Sequence, residues 1–291
     1  MPLRKRSQKA VANEQARVKA GLQAMALDPV ERSKRVRALI AVEAEAFLER
    51  RRDAIQRLRL RDFNPNLLLL RLVRSIHRLD TADAIVAYLV EGRLHSGEET
   101  AYGWLVDLFL PPLFGASTPP EREDQYRWEG YKEIDKEVVR PNPGTGKTQR
   151  HMVSLKSGPW TINDTMAREM HENVGGLQKY GVEPIVYGVT YGRREQLSNK
   201  PSIVKGEFPD DKVAILVGRE FWDWLAQYKD AHLDILNGIA DGEAAFQLRH
   251  QGHSLIDLVV EKRRELTAEF IREFRIDPKG DLWEQLAKKA F

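Results

Sequence analysis

Between Glu133 and Asn163 the chain reads EIDKEVVRPNPGTGKTQRHMVSLKSGPWTIN. Two strand-like runs, 133–140 and 149–157, flank a Pro/Gly-rich turn and predict an antiparallel hairpin. Asp135 lies on the first run, and Lys156 ends the second just before a helix start. An aspartate and a lysine on neighbouring strands can hold a divalent metal beside an activated water, the minimum equipment for cutting a phosphodiester. Side chains alternate along a strand, so Met152, Ser154 and Lys156 share one face, as do Glu133, Asp135 and Glu137 on the partner. If both faces point the same way, Asp135 and Lys156 converge near the rim of the sheet. An aspartate there could ligate Mg²⁺, which takes carboxylate oxygens and keeps several waters. The metal would lower the pKa of a bound water, and Lys156 would orient that water or stabilise developing negative charge. Taken singly, an Asp at the start of a strand and a Lys at its end are more often solvated residues. The run SLKSGPWTIN, with a Gly-Pro turn and a helix directly after Lys156, sets this pair apart.

The elements that must position these residues follow from periodicity. After the hairpin, 161–180 predicts a helix, EPIVYGVTYG (183–192) a buried strand and DKVAILVG (211–218) another. The order hairpin, helix, strand places the strand at Ile185 parallel to the one at Val153 through a right-handed crossover. Upstream, Val36, Leu39, Ile40, Ala44, Phe47, Leu48, Ile55 and Leu58 recur at three- and four-residue steps, predicting one long amphipathic helix over 30–60. Asn64-Pro65-Asn66 breaks it, and 67–76, 81–91 and 98–110 predict further helices, the last stopped by Pro111-Pro112. The residues after Arg219 read as largely helical. The expected architecture is an α/β core from about His95 to Leu225, with helical material at both ends.

With 291 residues, 42% hydrophobic and 31% charged, the chain can bury a substantial core. No apolar run approaches the roughly 20 residues that span a bilayer, so no membrane association is expected. The basic start MPLRKRSQKA is not followed by an apolar segment of signal-peptide type. With no cysteine there are no disulfides or thiolate metal sites, which fits a cytoplasmic location. Net charge is only +3, but Lys34, Arg35, Arg37, Arg50, Arg51, Arg52, Arg57, Arg59 and Arg61 crowd one stretch. That density suits a polyanion or a solvated helix.

The spacing of Asp135 and Ser154-Leu155-Lys156 across a hairpin resembles the PD-(D/E)XK nuclease signature. More specifically, TAYGWLVDLFLPPLFGA, EID, VSLKSGPWTINDTMA, VYGVTYG and VGREFWDWL resemble, in order and spacing, the Type II restriction endonucleases that cut RGGNCCY sites. The core motif alone is degenerate; the long string around Lys156 with GREFWDWL downstream is specific. The resemblance implies a restriction-endonuclease-like α/β core, a mixed β-sheet flanked by helices, with helical N-terminal and C-terminal regions. It implies a helical region at 1–93, serving dimerisation or DNA embrace, and a nuclease catalytic domain at 94–291. It further implies Mg²⁺-dependent hydrolysis of double-stranded DNA at a palindromic site by a homodimer. Asp135, Ser154 and Lys156 fall on the catalytic positions. Two departures from the superfamily matter: Ile134, not proline, precedes Asp135, and Ser154 stands where a second carboxylate is usual. This branch shares the serine. Asp107, which matches a family position, and Glu133 are the candidates to complete the metal ligands, directly or through a water; Asp107 reads equally as an exposed helix acid. A DNA-binding protein that keeps the fold without its chemistry is the alternative that Ser154 leaves open.

Other motifs carry less. GTGKT at Gly144–Thr148 is not a P-loop, because Pro141 holds the position of its first glycine and a strand follows instead of a helix. No nucleotide partner is expected; Lys147 and Arg150 would instead touch a DNA backbone. Asn163 and Thr165 either cap the helix after Lys156 or read a groove. Arg193 and Arg194, in the polar loop YGRREQLSNK, suit guanine edges or phosphates. His250 and His253 have no third ligand in view for zinc, and Trp222 and Trp224 read as packing residues.

Overall fold

The computed structural model describes residues 6–120, 134–141, 146–159, 162–179 and 184–290. Glu133, Trp160, Thr161 and the first two residues of GTGKT lie outside them. The strands are β1 (Lys136–Pro141), β2 (Thr148–Lys156), β3 (Ile185–Val189) and β4 (Val213–Val217). The helices are α1 (Gln8–Met25), α2 (Pro29–Arg57), α3 (Leu67–His77), α4 (Ala82–Trp104), α5 (Asp164–Lys179), α6 (Lys200–Lys205), α7 (Arg219–Ala226), α8 (Ala231–Arg249), α9 (Leu255–Phe274) and α10 (Leu282–Ala290). The class is mixed α/β.

The four strands form one sheet in the order β1-β2-β3-β4. β1 and β2 are an antiparallel hairpin; β2, β3 and β4 run parallel, with Val153 beside Val186. Every residue of β3 is buried, as a parallel strand covered on both faces requires. Strand alternation sorts the side chains into two cores. Val138, Val153, Leu155 and Val186 face one, shared with Val36, Ile40, Leu110, Phe114, Phe221 and Leu225. Met152, Ile185, Tyr187, Val189 and Val213 face the other, against Ala167, Met170 and Val174 of α5 and Val204 of α6. In β3, Gly188 makes room for the Phe221 ring: a Cβ there would sit 2.3 Å from it.

The helices expected over 81–91 and 98–110 are a single one. α4 continues through Gly92 and Gly97 because no proline interrupts it, and each glycine costs only about 1 kcal/mol. It then passes into a π-helical turn at Leu105–Phe109, in which Leu110 N–H donates to Leu105 O at 2.9 Å. Pro111 opens a 3-10 turn that ends at Gly115, as the proline pair predicts. α5 begins at Asp164 because the Asn163 side chain caps the Met166 N–H at 2.9 Å.

Two compact units result: Met1–Ala44 with Tyr102–Gly242, and Glu45–Ala101 with Glu243–Phe291. The first holds the sheet. The second has its own core, in which Leu58, Leu70, Leu79, Ile85, Val86, Leu266, Phe270, Trp283 and Leu286 are buried together. Residues 1–93 are therefore divided between both units, and the C-terminal helices pack with part of them. Among the described residues, no helix is long and apolar enough to cross a membrane.

Candidate active site

The hairpin register sets the centre of the site. Lys136 pairs with Val153, so Asp135, one residue earlier, stands opposite Ser154. The Asp135 N–H donates to Val153 O at 2.8 Å, and its carboxylate accepts the Leu155 N–H at 2.7 Å. Lys156 is two residues further along the face that carries Ser154 and Met152. The structure thus brings Asp135, Ser154 and Lys156 together where β2 and β3 end, the rim at which α/β sheets place ligands. Asp135 and Lys156 are partly exposed there. Ser154 is fully buried, and its Oγ makes no hydrogen bond among the described residues.

A bracket around Thr190 fixes this rim. The Thr190 N–H donates to Lys156 O at 2.9 Å and its Oγ1 to Ser157 O at 3.1 Å. The Trp222 indole donates to Thr190 O at 2.7 Å, and Gly218 N–H to Val189 O at 2.8 Å. Gly218 has φ 54° and touches Gly192 O, where a Cβ would come within 2.4 Å, so both conformation and space require glycine. Burial raises the Tyr102 hydroxyl pKa, with Thr190 opposing the rise and Tyr191 and Asp107 adding to it. Asp107, five residues after Tyr102, is near enough for its charge to add to that rise. It sits in the π-helical turn, a distortion that recurs at functional sites, with Oδ1 shielded from solvent. A cavity of about 400 Å³ opens beside this bracket, lined by Tyr102, Thr190, Tyr191, Trp222 and residues of α8.

The remaining candidates are dispersed. Lys147 precedes β2, about 30 Å from Lys156 at the rise of an extended strand. Arg150 is ion-paired with Glu137. Arg193 and Arg194 are both exposed; Arg194 donates to Ile215 O at 2.6 Å and pairs with Glu220 at 2.7 Å. Thr165 is exposed in the first turn of α5, next to the capping Asn163. Glu133 lies outside the described residues. Much of the N-terminal basic charge is neutralised locally: Lys34 by Glu31, Arg37 by Asp241, Arg51 by Glu98 and Arg57 by Asp53.

Two charged clusters back the hairpin on its other face. Lys136, 2% exposed, is ion-paired with Glu14 of α1, which also accepts from Arg6 at 2.6 Å and Thr118 at 2.8 Å. Burial opposes the Glu14 charge, but Lys136, Arg6 and Thr118 outweigh it and hold the carboxyl below its usual range. Burial also pulls the Lys136 ammonium down, against the attraction of Glu14. Three donors converging on Glu14 favour the ionised pair. At the far end of the hairpin, Arg140 lies 4.2 Å over Trp224 and donates to its carbonyl at 2.7 Å. Burial lowers Arg140 to about 10, and burial with Arg140 lowers His151 to about 4.

Thr190, Tyr102 and Lys136 are the residues that the pattern of acids and lysines does not reveal. The signal for Lys136 was available: it shares strand parity with Val138, which is buried. For Thr190 the trace is a polar residue closing an apolar strand run, at the carboxyl end where α/β sites lie. The sequence matches no protein-family model and no curated protein. Among the described residues, no three His, Asp or Glu side chains gather that could hold a metal by themselves.

Proposed function

We propose that the chain is a Mg²⁺-dependent endonuclease acting on double-stranded DNA, a Type II restriction enzyme working as a homodimer on a palindromic RGGNCCY-like site. The observation that carries the reading is Asp135 opposite Ser154, with Lys156 two residues on along the same strand face. The donor set suits the metal: a carboxylate at Asp135 and a buried hydroxyl at Ser154 without a hydrogen bond among the described residues, with Asp107 as the proposed second carboxylate. These are hard oxygens, and Mg²⁺ takes one or two carboxylates while keeping waters. When bound, it supplies charge neutralisation at the phosphate and a more acidic water. Asp135 holds it, anchored by the Leu155 N–H. The Lys156 ammonium orients the attacking water or stabilises charge on the phosphate oxygens, and the Thr190 bracket keeps that lysine in place. One P–O ester bond breaks as the water oxygen bonds to phosphorus, and the departing oxygen takes a proton. Arg193, Arg194, Lys147, Arg150, Asn163 and Thr165 are the proposed DNA contacts.

Plasmid DNA incubated with Mg²⁺ and run on a gel tests the reading: discrete fragments are expected. Lys156→Ala should lose cleavage by about 10²-fold or more while site-specific binding persists, and Asp135→Asn should lose the Mg²⁺-dependent rate. Wild-type cutting by either variant removes the assignment. Ser154 in place of a carboxylate favours one second reading, a DNA-binding protein without the chemistry. Retarded but intact DNA on the same gel would select it.

A further inference from the structure

The cavity of about 400 Å³ beside the Thr190 bracket lies wholly within the sheet unit, and the chemistry at Asp135 and Lys156 makes no use of it. Its volume falls among those of small-ligand sites, about 300–1,000 Å³. Tyr102, Tyr191 and Trp222 line it. Trp222, 4% exposed and held by its indole bond to Thr190 O, is a fixed inner wall. Tyr191, 47% exposed, stands where the cavity meets solvent, and its ring lies edge-on to that of Tyr102 with centroids 5.9 Å apart. Gly158, two residues after Lys156, leaves room for Tyr191, because a Cβ there would run into the ring. Thr190 lines the cavity and its N–H donates to Lys156 O at 2.9 Å, so the cavity adjoins the candidate catalytic lysine through one backbone contact.

The remaining lining decides what such a cavity takes. Leu105, Val106, Ile235 and Ile239 make it largely apolar. A phosphate or carboxylate would give up its hydration there, and the arginine of the lining, Arg219, is already paired with Asp223 and Asp230. A hydrocarbon chain would in turn leave polar groups unmet. His232 belongs to the lining, and its Nδ1 is buried without a hydrogen bond among the described residues, 3.9 Å from Asp223 Oδ1. A planar ring with apolar faces and a polar edge suits both features. Its faces pack on tyrosine and indole, and its edge meets the His232 imidazole and the Tyr102 hydroxyl. We propose that the cavity receives one unstacked nucleobase from the nucleic acid held at the rim, which rests on the nuclease reading for the source of the base. Such a base leaves the stack by rotating about its own backbone and is then held between aromatic and apolar side chains. Because unpairing a base costs free energy, DNA in which one base already lacks its partner should bind more tightly.

Fluorescence anisotropy of short labelled duplexes with the full chain, without divalent metal so that no strand is cut, tests it. Each duplex carries AGGTCCT, either fully paired or with one base left unpaired, that base being moved through the site in turn. At one position the unpaired duplex should bind about 10-fold or more tightly than the paired one. Leu236, 61% exposed on α8, lines the cavity, so Leu236→Trp should fill it, keep the wild-type melting temperature and abolish the preference. Tyr191→Ala, at a half-exposed ring, should weaken binding of the preferred duplex about 10-fold and leave the paired one unchanged. Equal affinity for all duplexes, or a preference undiminished in both variants, would overturn the proposal. Calorimetric binding of free adenosine that Leu236→Trp abolishes, with no preference among duplexes, would give the cavity to a free nucleoside and overturn DNA as the source. Plasmid cleavage without the preference would sink this inference alone. The preference in a chain that leaves plasmid intact in Mg²⁺ would sink the nuclease reading alone.

Discussion

Breaking the Glu14–Lys136 pair should be among the more costly single changes in the sheet unit, while removing both charges should be close to neutral. Lys136 is 2% exposed at the start of β1, and in a Glu14→Leu variant its remaining described contact is the Thr118 hydroxyl at 3.1 Å. A buried charge stripped of its partner costs about 3–5 kcal/mol. An upper bound follows from deprotonation. Neutralising a lysine of ordinary pKa 10.5 at pH 7 costs about 5 kcal/mol, at 1.36 kcal/mol per pH unit. The reverse variant, Lys136→Met, leaves Glu14 with Arg6 and Thr118 and should cost less, about 1–3 kcal/mol. In the double variant Glu14→Leu/Lys136→Met no charge remains to desolvate, so stability should return to within about 1–2 kcal/mol of wild type. The coupling energy from the cycle is then about 3 kcal/mol or more. Urea unfolding followed by far-UV circular dichroism and tryptophan fluorescence measures it, with unchanged m values as the check on the unfolding model. A pH series adds a sign. Because Glu14 is held below its ordinary pKa of 4.5 in the fold, its contribution is present above pH 4.5 and lost as pH falls below it. Wild type should show that loss, and the double variant should not. Single effects that simply add, to within about 0.5 kcal/mol, would refute the picture of a coupled buried pair.

Other outcomes follow from the same geometry. Gly188→Ala puts a Cβ 2.3 Å from the Phe221 ring and should cost about 1–3 kcal/mol, partly recovered by Phe221→Leu; equal stability of Gly188→Ala and wild type would contradict that packing. His151 is held neutral, its pKa lowered from 6.5 to about 4, so the unfolded state takes up a proton first as pH falls. Stability should therefore drop by about 1–3 kcal/mol between pH 6.5 and 4, and a His151→Gln variant with the same slope would argue against that source. Thr190→Val removes the hydrogen bond to Ser157 but keeps the shape. It should cost about 1 kcal/mol of stability and, on the nuclease reading, slow cleavage about 10-fold with DNA affinity unchanged. An unaltered cleavage rate would show that the bracket does not position Lys156.

What the sequence alone determines here is what repeats at short range. Strand alternation puts Ser154 and Lys156 on one face, and the Pro/Gly turn folds Asp135 back beside them. An unbroken apolar run makes 185–189 a buried parallel strand. These are consequences of backbone period, legible within about ten residues. Two local boundaries depart from the periodicity: α4 is one helix where two are expected, and a capping side chain sets the start of α5. Tertiary structure decided everything whose partner is distant. Glu14, 122 residues away, makes Lys136 a buried lysine. Tyr102 meets Thr190 at one cavity from 88 residues away, and no periodicity connects the two. Leu70 finds Trp283 and Leu286 in the second unit, which settles which side of the leucine-rich α3 turns inward. The sequence fixes which side chains share a face because backbone geometry is local; what that face meets depends on how distant segments pack.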